Sequence, residues 1–560
     1  MNISMDKINN FFIDNNQVME YFSEILTMDI LKNHILNDPL CDYFNIMHHK
    51  YTKDIDSFYK THILQESDNY KQKLLEKIIQ KSKLKNTDGN TVKQTSEKIK
   101  MNELLITNAK LYNHKYNINI NCDLIIKNKL LRKIFSKINN YPLHLIHPDK
   151  YVCINLSYST VHFKIDLQDI QNDNLILYKK CQLYLCLLAI EELTDTKPKC
   201  FILAKEYYFK RNLLDKNNFI GCILFNDCIK QKIENAIYWI QTLQKEYKSM
   251  EILPQPTHLE LYPNMNYKES DWENEKITLA EKIKEITLVW NISFNERCEF
   301  INKKIYCWDD PKLLSFLKES KKKHIQERMI HMNQQNDILI YPRKNISSQF
   351  LEILTEKKYE FYFDVESFLS FDEKKELFND ELNTNEPMIG IIGIIHNHIF
   401  KDFTIYKYSL KDEYTCITYF LNYLQKVSKG EIVYLYHWGH AEYKYLEYMK
   451  KIYPDYDYSK IQLINIFDYF RTQPIIVQGI FKFGLKSIGK ALYNHNLIKS
   501  TWLENDNGLD SMIQFKQICQ NHQKNIPLKR DTTISNIIEY NRIDCQVLYE
   551  IVELLRKIYL

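Results

Sequence analysis

Net charge is nearly absent from this chain: 75 Lys and Arg stand against 71 Asp and Glu in 560 residues, a formal balance of +4. On that count no whole-molecule field attracts a polyanion, so any nucleic-acid site has to be a local patch. Close cysteine pairs are absent too. Thirteen Cys are scattered without one C-x-x-C, and Cys153, Cys181, Cys186 and Cys545 fall inside apolar segments. This argues against a short-spaced zinc or iron–sulfur framework and fits buried thiols in a reducing compartment. Long apolar runs are missing as well. The longest, Leu183 to Ile190 and Ile389 to Ile395, fall far short of the ~20 residues that span a bilayer, and the opening MNISMDKINNFFIDNN holds no apolar leader core. A soluble, cytoplasmic protein without a membrane partner is expected. Glycine is scarce, ten residues in all, and no internal repeat is found.

What is present is globular in kind, with 45% hydrophobic and 26% charged residues. At ~100 to 200 residues per domain a chain of this length divides into two to four units, and the pattern suggests three. Residues 15–80 carry Tyr21, Ile25, Ile30 and Ile35 at helical spacing, and the polar stretch Ser82 to Lys98 reads as a surface loop. From Leu104 the period shortens towards two. Strands are expected near Leu104 to Ile106, Asp123 to Ile126 and Tyr151 to Phe163, then a helix from Leu175 to Ile190 and a strand from Cys200 to Ala204. Residues 1–212 are thus read as an α/β domain. Residues 213–345 read as a helical connector ending in the solvated charged run KESKKKHIQER, and 346–560 as a second α/β domain. In the latter, YEFYFDVES is a strand, a strand pair turns at His396 to His398, and EIVYLYHW is a buried strand. Helices are expected at Glu413 to Val427, Ala441 to Lys451, Phe483 to Tyr493 and Thr533 to Tyr559.

The acids of this last region carry the chemistry. Phosphodiester hydrolysis at neutral pH needs a nucleophilic hydroxide and relief of charge on the leaving oxygen, which two divalent cations ~3.5–4 Å apart supply. Mg2+ or Mn2+ calls for several carboxylates converging from different elements. Asp364 and Glu366 in FYFDVESF are alternate strand residues that leave the sheet on one face. Their repulsion makes sense where cations neutralise it, and a solvent-facing edge strand is the plain alternative. Glu442 in YLYHWGHAEYKYL stands at a helix start behind a buried strand, a place the helix dipole alone also favours for an acid. Tyr540 and Asp544 in YNRID lie i, i+4 on one face of the last helix, so that a phenol can orient water beside a metal-held carboxylate. With 40 Tyr in the chain, that spacing also arises by chance.

A strand-borne D-x-E, an acid at a helix start and then Y-x-x-x-D on a closing helix, in that order, resembles the DEDD exonuclease superfamily in its tyrosine subclass. Glu539 occupies the place where the histidine subclass carries His, and Glu442 stands where most members have Asp. With INIFDYFR, PIIVQGIFKFGLKSIGKALY and TWLENDNGLDSM added, nearly the whole chain resembles a family of predicted nucleases of bacteria and large DNA viruses. In that family a ribonuclease H-like domain is fused behind a RecB-like nuclease domain. The resemblance implies a ribonuclease H-like exonuclease fold for 346–560, with two Mg2+ or Mn2+ ions on Asp364, Glu366, Glu442 and Asp544. It further implies Tyr540 on the attacking water, Asp468 in a supporting place, and 3′-to-5′ release of nucleoside monophosphates from single-stranded DNA or RNA. His437 and His440, with no Cys or third His nearby, are read as structural. Lys482, Phe483 and Lys486 interleave aromatic and basic groups that can grip a strand, and a core helix with solvent-facing lysines explains them equally.

For 1–212 the resemblance implies a restriction-endonuclease-like fold of the PD-(D/E)xK type, laid on CDLIIKN, YVCINLSYSTV and YKKCQLYLCLL. Asp123 stands at the first acid and Gln182 on the helix, but the D-x-K position reads Asn155, Leu156, Ser157, and Lys71 stands where relatives carry an early acid. Loss of ligand charge removes hard-cation binding, so this domain is expected not to cleave. Lys164 and Lys180 are the lysines that offer a displaced ammonium. The connector segment EITLVWNISFNERCEFINKKIYCWDDPKLL is free of Gly, and no phosphate-binding hairpin is read there. Two rivals stay open: a non-catalytic nucleic-acid-binding scaffold built from decayed nuclease folds, and endonuclease action by the first domain.

Overall fold

The computed structural model describes residues 19–560 apart from 56, 86, 166, 211, 269, 321, 336–337, 344–345, 369–374, 378–379, 383–387, 504–507 and 522–530. The opening stretch read above for a leader lies outside the described residues. The chain is mixed α/β and divides into two compact units. The first takes the described residues of Met1–Asp56, Ile63–Thr287 and Ser293–Cys307, and the second those of Ser57–His62, Leu288–Ile292 and Trp308–Leu560. The expected connector is therefore shared out, most of 213–307 going to the first unit and 308–345 to the second. Among the described residues no helix is long and apolar enough to cross a membrane.

The first unit contains helices α1 (Met28–Ile35), α2 (Phe58–Ser82, in this unit from Ile63 on), α3 (Val92–Lys100), α4 (Asn174–Thr194) and α5 (Asp227–Glu246). Its sheet has seven strands among the described residues. Four are long: β1 (Leu105–Asn113), β2 (Ile118–Lys127), β3 (Tyr151–Phe163) and β4 (Lys199–Phe209). β1, β2 and β3 pair antiparallel in turn, and β4 runs parallel to β3. The connection from β3 to β4 is α4, as a parallel pair demands a crossover. α4 starts where Asp173 accepts the amide of Ile176 at 2.7 Å and stops at Asp195 in the left-handed region. It is apolar almost all round and buries Ile176, Cys181, Leu183, Leu185, Cys186, Leu187, Ala189 and Ile190. α5, expected in a connector, buries Ile233, Trp239, Ile240 and Leu243 in this same core, which is why it belongs to the unit. The loop expected from Ser82 to Lys98 is corrected in its second half. Thr91 caps α3 by accepting from the Gln94 amide, and Thr95 and Ile99 bury one face, a short amphipathic stripe hidden among charged residues.

The second unit is built on β5 (Glu360–Phe368), β6 (Met388–His396), β7 (Ile399–Thr404), β8 (Val433–His437) and β9 (Ile461–Asn465), in the sheet order β7–β6–β5–β8–β9. β6 runs antiparallel to both of its neighbours, β5 and β7, whereas β8 runs parallel to β5 and β9 parallel to β8. The β6–β7 hairpin turns on Asn397 and His398, both at positive φ, the two-residue turn whose twist suits a hairpin. A bulge sits in β6 between Ile389 and Ile391, opposite Ser367 and Glu366. Gly390 fills it, and a Cβ there would stand 2.9 Å from the Phe368 ring. Five helices serve the site: α6 (Leu410–Ser428), α7 (Ala441–Ile452), α8 (Leu485–Asn494), α9 (Gly508–Asn521) and α10 (Thr532–Tyr559). Alternate residues of β5 face opposite ways: Phe361, Phe363 and Val365 pack with Ile417, Phe420 and Leu424 of α6. Tyr362 packs with Leu548, Ile551 and Val552 of α10. Asp364 and Glu366 share the parity of Tyr362 and leave the sheet on the α10 side.

Candidate functional site

Asp364 and Glu366 meet Asp544 of α10 beside the sheet. One carboxylate oxygen from each lies within 4.8 Å of the other two. Such crowding has an electrostatic signature. Burial above all, then the charges of Asp544, Glu366 and Glu442, push the Asp364 carboxyl well above the usual range. Burial, then Asp544, raises Glu366 to about 8, with Lys486 of α8 pulling the other way. Glu442, in the first turn of α7, is buried and close enough to raise both, but it does not join the triad. Its Oε2 accepts instead from Nδ1 of the fully buried His437 at 3.2 Å. The turn that delivers it needs Gly439, at φ +117, whose amide donates to Asn465 Oδ1 at 3.0 Å. Asn465 Nδ2 donates in turn to Asp468 Oδ2 at 2.8 Å, and His440 Nε2 stands 3.5 Å from Asp468 Oδ1. Asp468 thus braces the turn that carries Glu442.

Two side chains that the sequence reading did not single out hold the triad in place. Asn541, fully buried on α10, donates from Nδ2 to Asp364 Oδ2 at 2.7 Å. Its room comes from Gly393 of β6, in register with Asp364: a Cβ at that position would lie 1.8 Å from Asn541 Oδ1. Trp502 donates from Nε1 to Asp544 Oδ1 at 3.0 Å. Asn541 had a signal, three residues before Asp544 and so on the same helical face. Trp502 lies within the quoted TWLENDNGLDSM, but no local spacing ties it to Asp544, since it arrives from a loop distant in sequence. Tyr540 lies one turn before Asp544 with the Lys486 ammonium 4.6 Å from its ring centre, and the same ammonium is 6.0 Å from the Trp502 ring. Lys486 and Lys482 are half-buried. Phe483 is corrected: it is 4% exposed, packs edge-on against Trp290 at 5.5 Å, and receives the Trp438 indole N–H on its carbonyl. Its ring therefore offers no face for stacking a base.

In the first unit the residues read as a decayed site also come together. Asp123 of β2 accepts the Leu156 amide at 2.7 Å. Asn155 donates to Gln182 Oε1 at 3.1 Å, and Gln182 donates to the Asn121 carbonyl at 2.7 Å. The expected ammonium donors do not reach this place. Lys164 and Lys180 both pair with Asp169, and Lys180 donates to the Ile170 carbonyl at 3.0 Å. Lys179 comes instead, donating to Ser157 Oγ at 2.5 Å, and Lys71 of α2 acts on Asp123 from outside the sheet. Burial raises the Asp123 carboxyl, opposed first by Lys71. Comparison with protein-family models, with curated proteins and with solved structures gives no match.

Proposed function

We propose that the second unit is a metal-dependent phosphodiesterase of the ribonuclease H-like exonuclease type, acting 3′-to-5′ on single-stranded nucleic acid. The observation that carries this reading is the meeting of Asp364, Glu366 and Asp544 within 4.8 Å, two from a strand and one from a helix far away in sequence. Three carboxylates placed so closely oppose one another's ionisation, and hard divalent cations are the partners that make such a cluster favourable. The sheet order, three antiparallel strands followed by two parallel ones, supports the fold assignment. Strand preference and polarity rest on the motif resemblance. The first unit is read as a restriction-endonuclease-like fold that does not cleave.

Asp364, Glu366 and Asp544 would hold the ions, with Glu442 at the edge of the set. Two Mg2+ or Mn2+ ions, when bound, supply the charge that activates an attacking water and relieves the leaving oxygen. The chain's own groups do the positioning. Asn541 and Trp502 fix the rotamers of Asp364 and Asp544, Tyr540 orients the water, and Lys486 meets the charge of the phosphate. The test uses full-length protein, Mn2+, and 3′- and 5′-labelled single strands of DNA and RNA. Wild type should release mononucleotides from the 3′ end, and Asp364→Asn should lower the rate by at least ~10²-fold, the scale of losing a transition-state charge partner. Cleavage that survives Asp364→Asn but vanishes in Asp123→Ala would transfer the activity to the first unit. Intact strands under every metal would favour the scaffold.

A further inference from the structure

The cluster around Asp123 has the wrong sign for a cation. Its protein groups are one carboxylate, two amides and two hydroxyls, while two ammonium groups act on it: Lys179 donates to Ser157, and the charge of Lys71 is felt by both Asp123 and Lys179. Asp123 is already engaged, by the Leu156 amide on Oδ2 and by the pull of Lys71. Asn155 Nδ2 and Gln182 are engaged with each other and with the Asn121 carbonyl, while Asn155 Oδ1 is buried without a partner among the described residues. The donors are not exhausted. Among the described residues Lys179 makes one hydrogen bond, to Ser157, and an ammonium carries three N–H groups. Ser157 in turn touches the hydroxyl of Ser159. Asp173 also faces Lys179, but its carboxylate caps α4. Among the described residues Lys71 has no hydrogen bond or close ion pair, and the side chains of Lys71, Lys179 and Ser159 are part-exposed while Ser157 is fully buried, so a ligand would enter over the two lysines and Ser159.

We propose that Lys71, Lys179, Ser157 and Ser159 form a metal-independent anion site in the first unit that takes a phosphate group. A phosphate oxygen accepts from ammonium and hydroxyl donors together, which is what this place presents. Burial first, and then the neighbouring Lys71 charge, lower the Lys179 amine to about 8, and a bound anion would offset both. The inference is independent of the hydrolytic reading, because the two sites lie in different units and use opposite charge.

The experiment is calorimetric titration of the full chain in EDTA, which silences any metal chemistry of the second unit. The ligands are inorganic phosphate, an unphosphorylated single-stranded oligonucleotide and its 5′-phosphorylated twin. At least one is expected to bind, and the preferred one identifies the source as free phosphate, backbone diester or strand end. Lys179→Ala and Lys71→Ala should each weaken binding by roughly tenfold or more, the size of one charge-assisted contact. Asp123→Asn should strengthen it, since a negative neighbour is removed. Circular dichroism checks each fold, and if Lys179→Ala fails to fold, the half-exposed Lys71 tests the same point. Loss of binding in Asp123→Asn, a requirement for Mn2+, or no binding of any ligand overturns the proposal.

Discussion

A proton and a cation compete for the same oxygens at Asp364, Glu366 and Asp544. Because burial and mutual repulsion raise Glu366 to about 8, an arriving ion has to displace a proton below that pH. Mn2+ affinity should therefore climb as pH rises towards about 8 and level off above it, with proton release visible when calorimetry is repeated in buffers of different ionisation enthalpy. The stability sign follows from the same shift. A carboxyl whose folded pKa is raised contributes fully at low pH and loses that contribution as pH rises through its folded value. Without metal the second unit should weaken between pH 5 and pH 8, and the thermal gain from Mn2+ should be larger at pH 8 than at pH 6. Equal gains at both would contradict it. At this scale the sequence was readable where geometry is local. Asp364 and Glu366 follow from strand alternation, and Tyr540 and Asp544 from helical spacing. It was unreadable where one residue of helix phase decides. Lys179 and Lys180 differ by ~100° around α4, and the phase set by the Asp173 cap sends Lys179 to Ser157 and Lys180 to Asp169.

Two elements were legible almost to their ends, whereas the strands expected at Leu104 to Ile106, Asp123 to Ile126 and Cys200 to Ala204 run several residues further. β3 spans Tyr151–Phe163 as read, and α10 begins one residue before the expected start. α3 was missed because its buried stripe is only two side chains wide in a lysine-rich context. Packing between elements was not legible, and one contact shows why it matters. α8 lies against α10 through Gly489, where a Cβ would stand 2.7 Å from Val547 Cγ1 and 2.8 Å from the Trp502 ring. Gly489→Ala should therefore cost about 1–3 kcal/mol of stability by overpacking, read from urea unfolding. It should also reduce Mn2+ affinity, because the indole that has to move is the one donating to Asp544. A variant as stable as wild type with unchanged metal binding would show that the helices part without disturbing the acids.

For the whole molecule, near-neutral charge sets the kind of nucleic-acid binding to expect. With a balance of +4, only local cations displace counterions, and the first unit offers two at its anion site. Strand binding measured in EDTA should therefore have a shallow salt dependence, a log–log slope of about −0.7 for the one phosphate that this site takes on a single strand. A slope near −6 would mean an extended basic track. The division into two units was only partly legible, because α5 carries an ordinary helical pattern and nothing local says which core it joins. A last consequence comes from β6. Its sequence, MIGIIGIIH, reads nearly the same after sliding by three residues, so greasiness cannot tell correct alignment with β5 from a slipped one. The two vacant places at Gly390 and Gly393 can, since one admits the Phe368 ring and the other the Asn541 amide. Phe368 belongs to β5 itself and Asn541 to α10, so one check is made within the sheet and the other only where that helix packs on it. At Gly393 the side chain that tests the alignment is the same one that holds Asp364 among the acids.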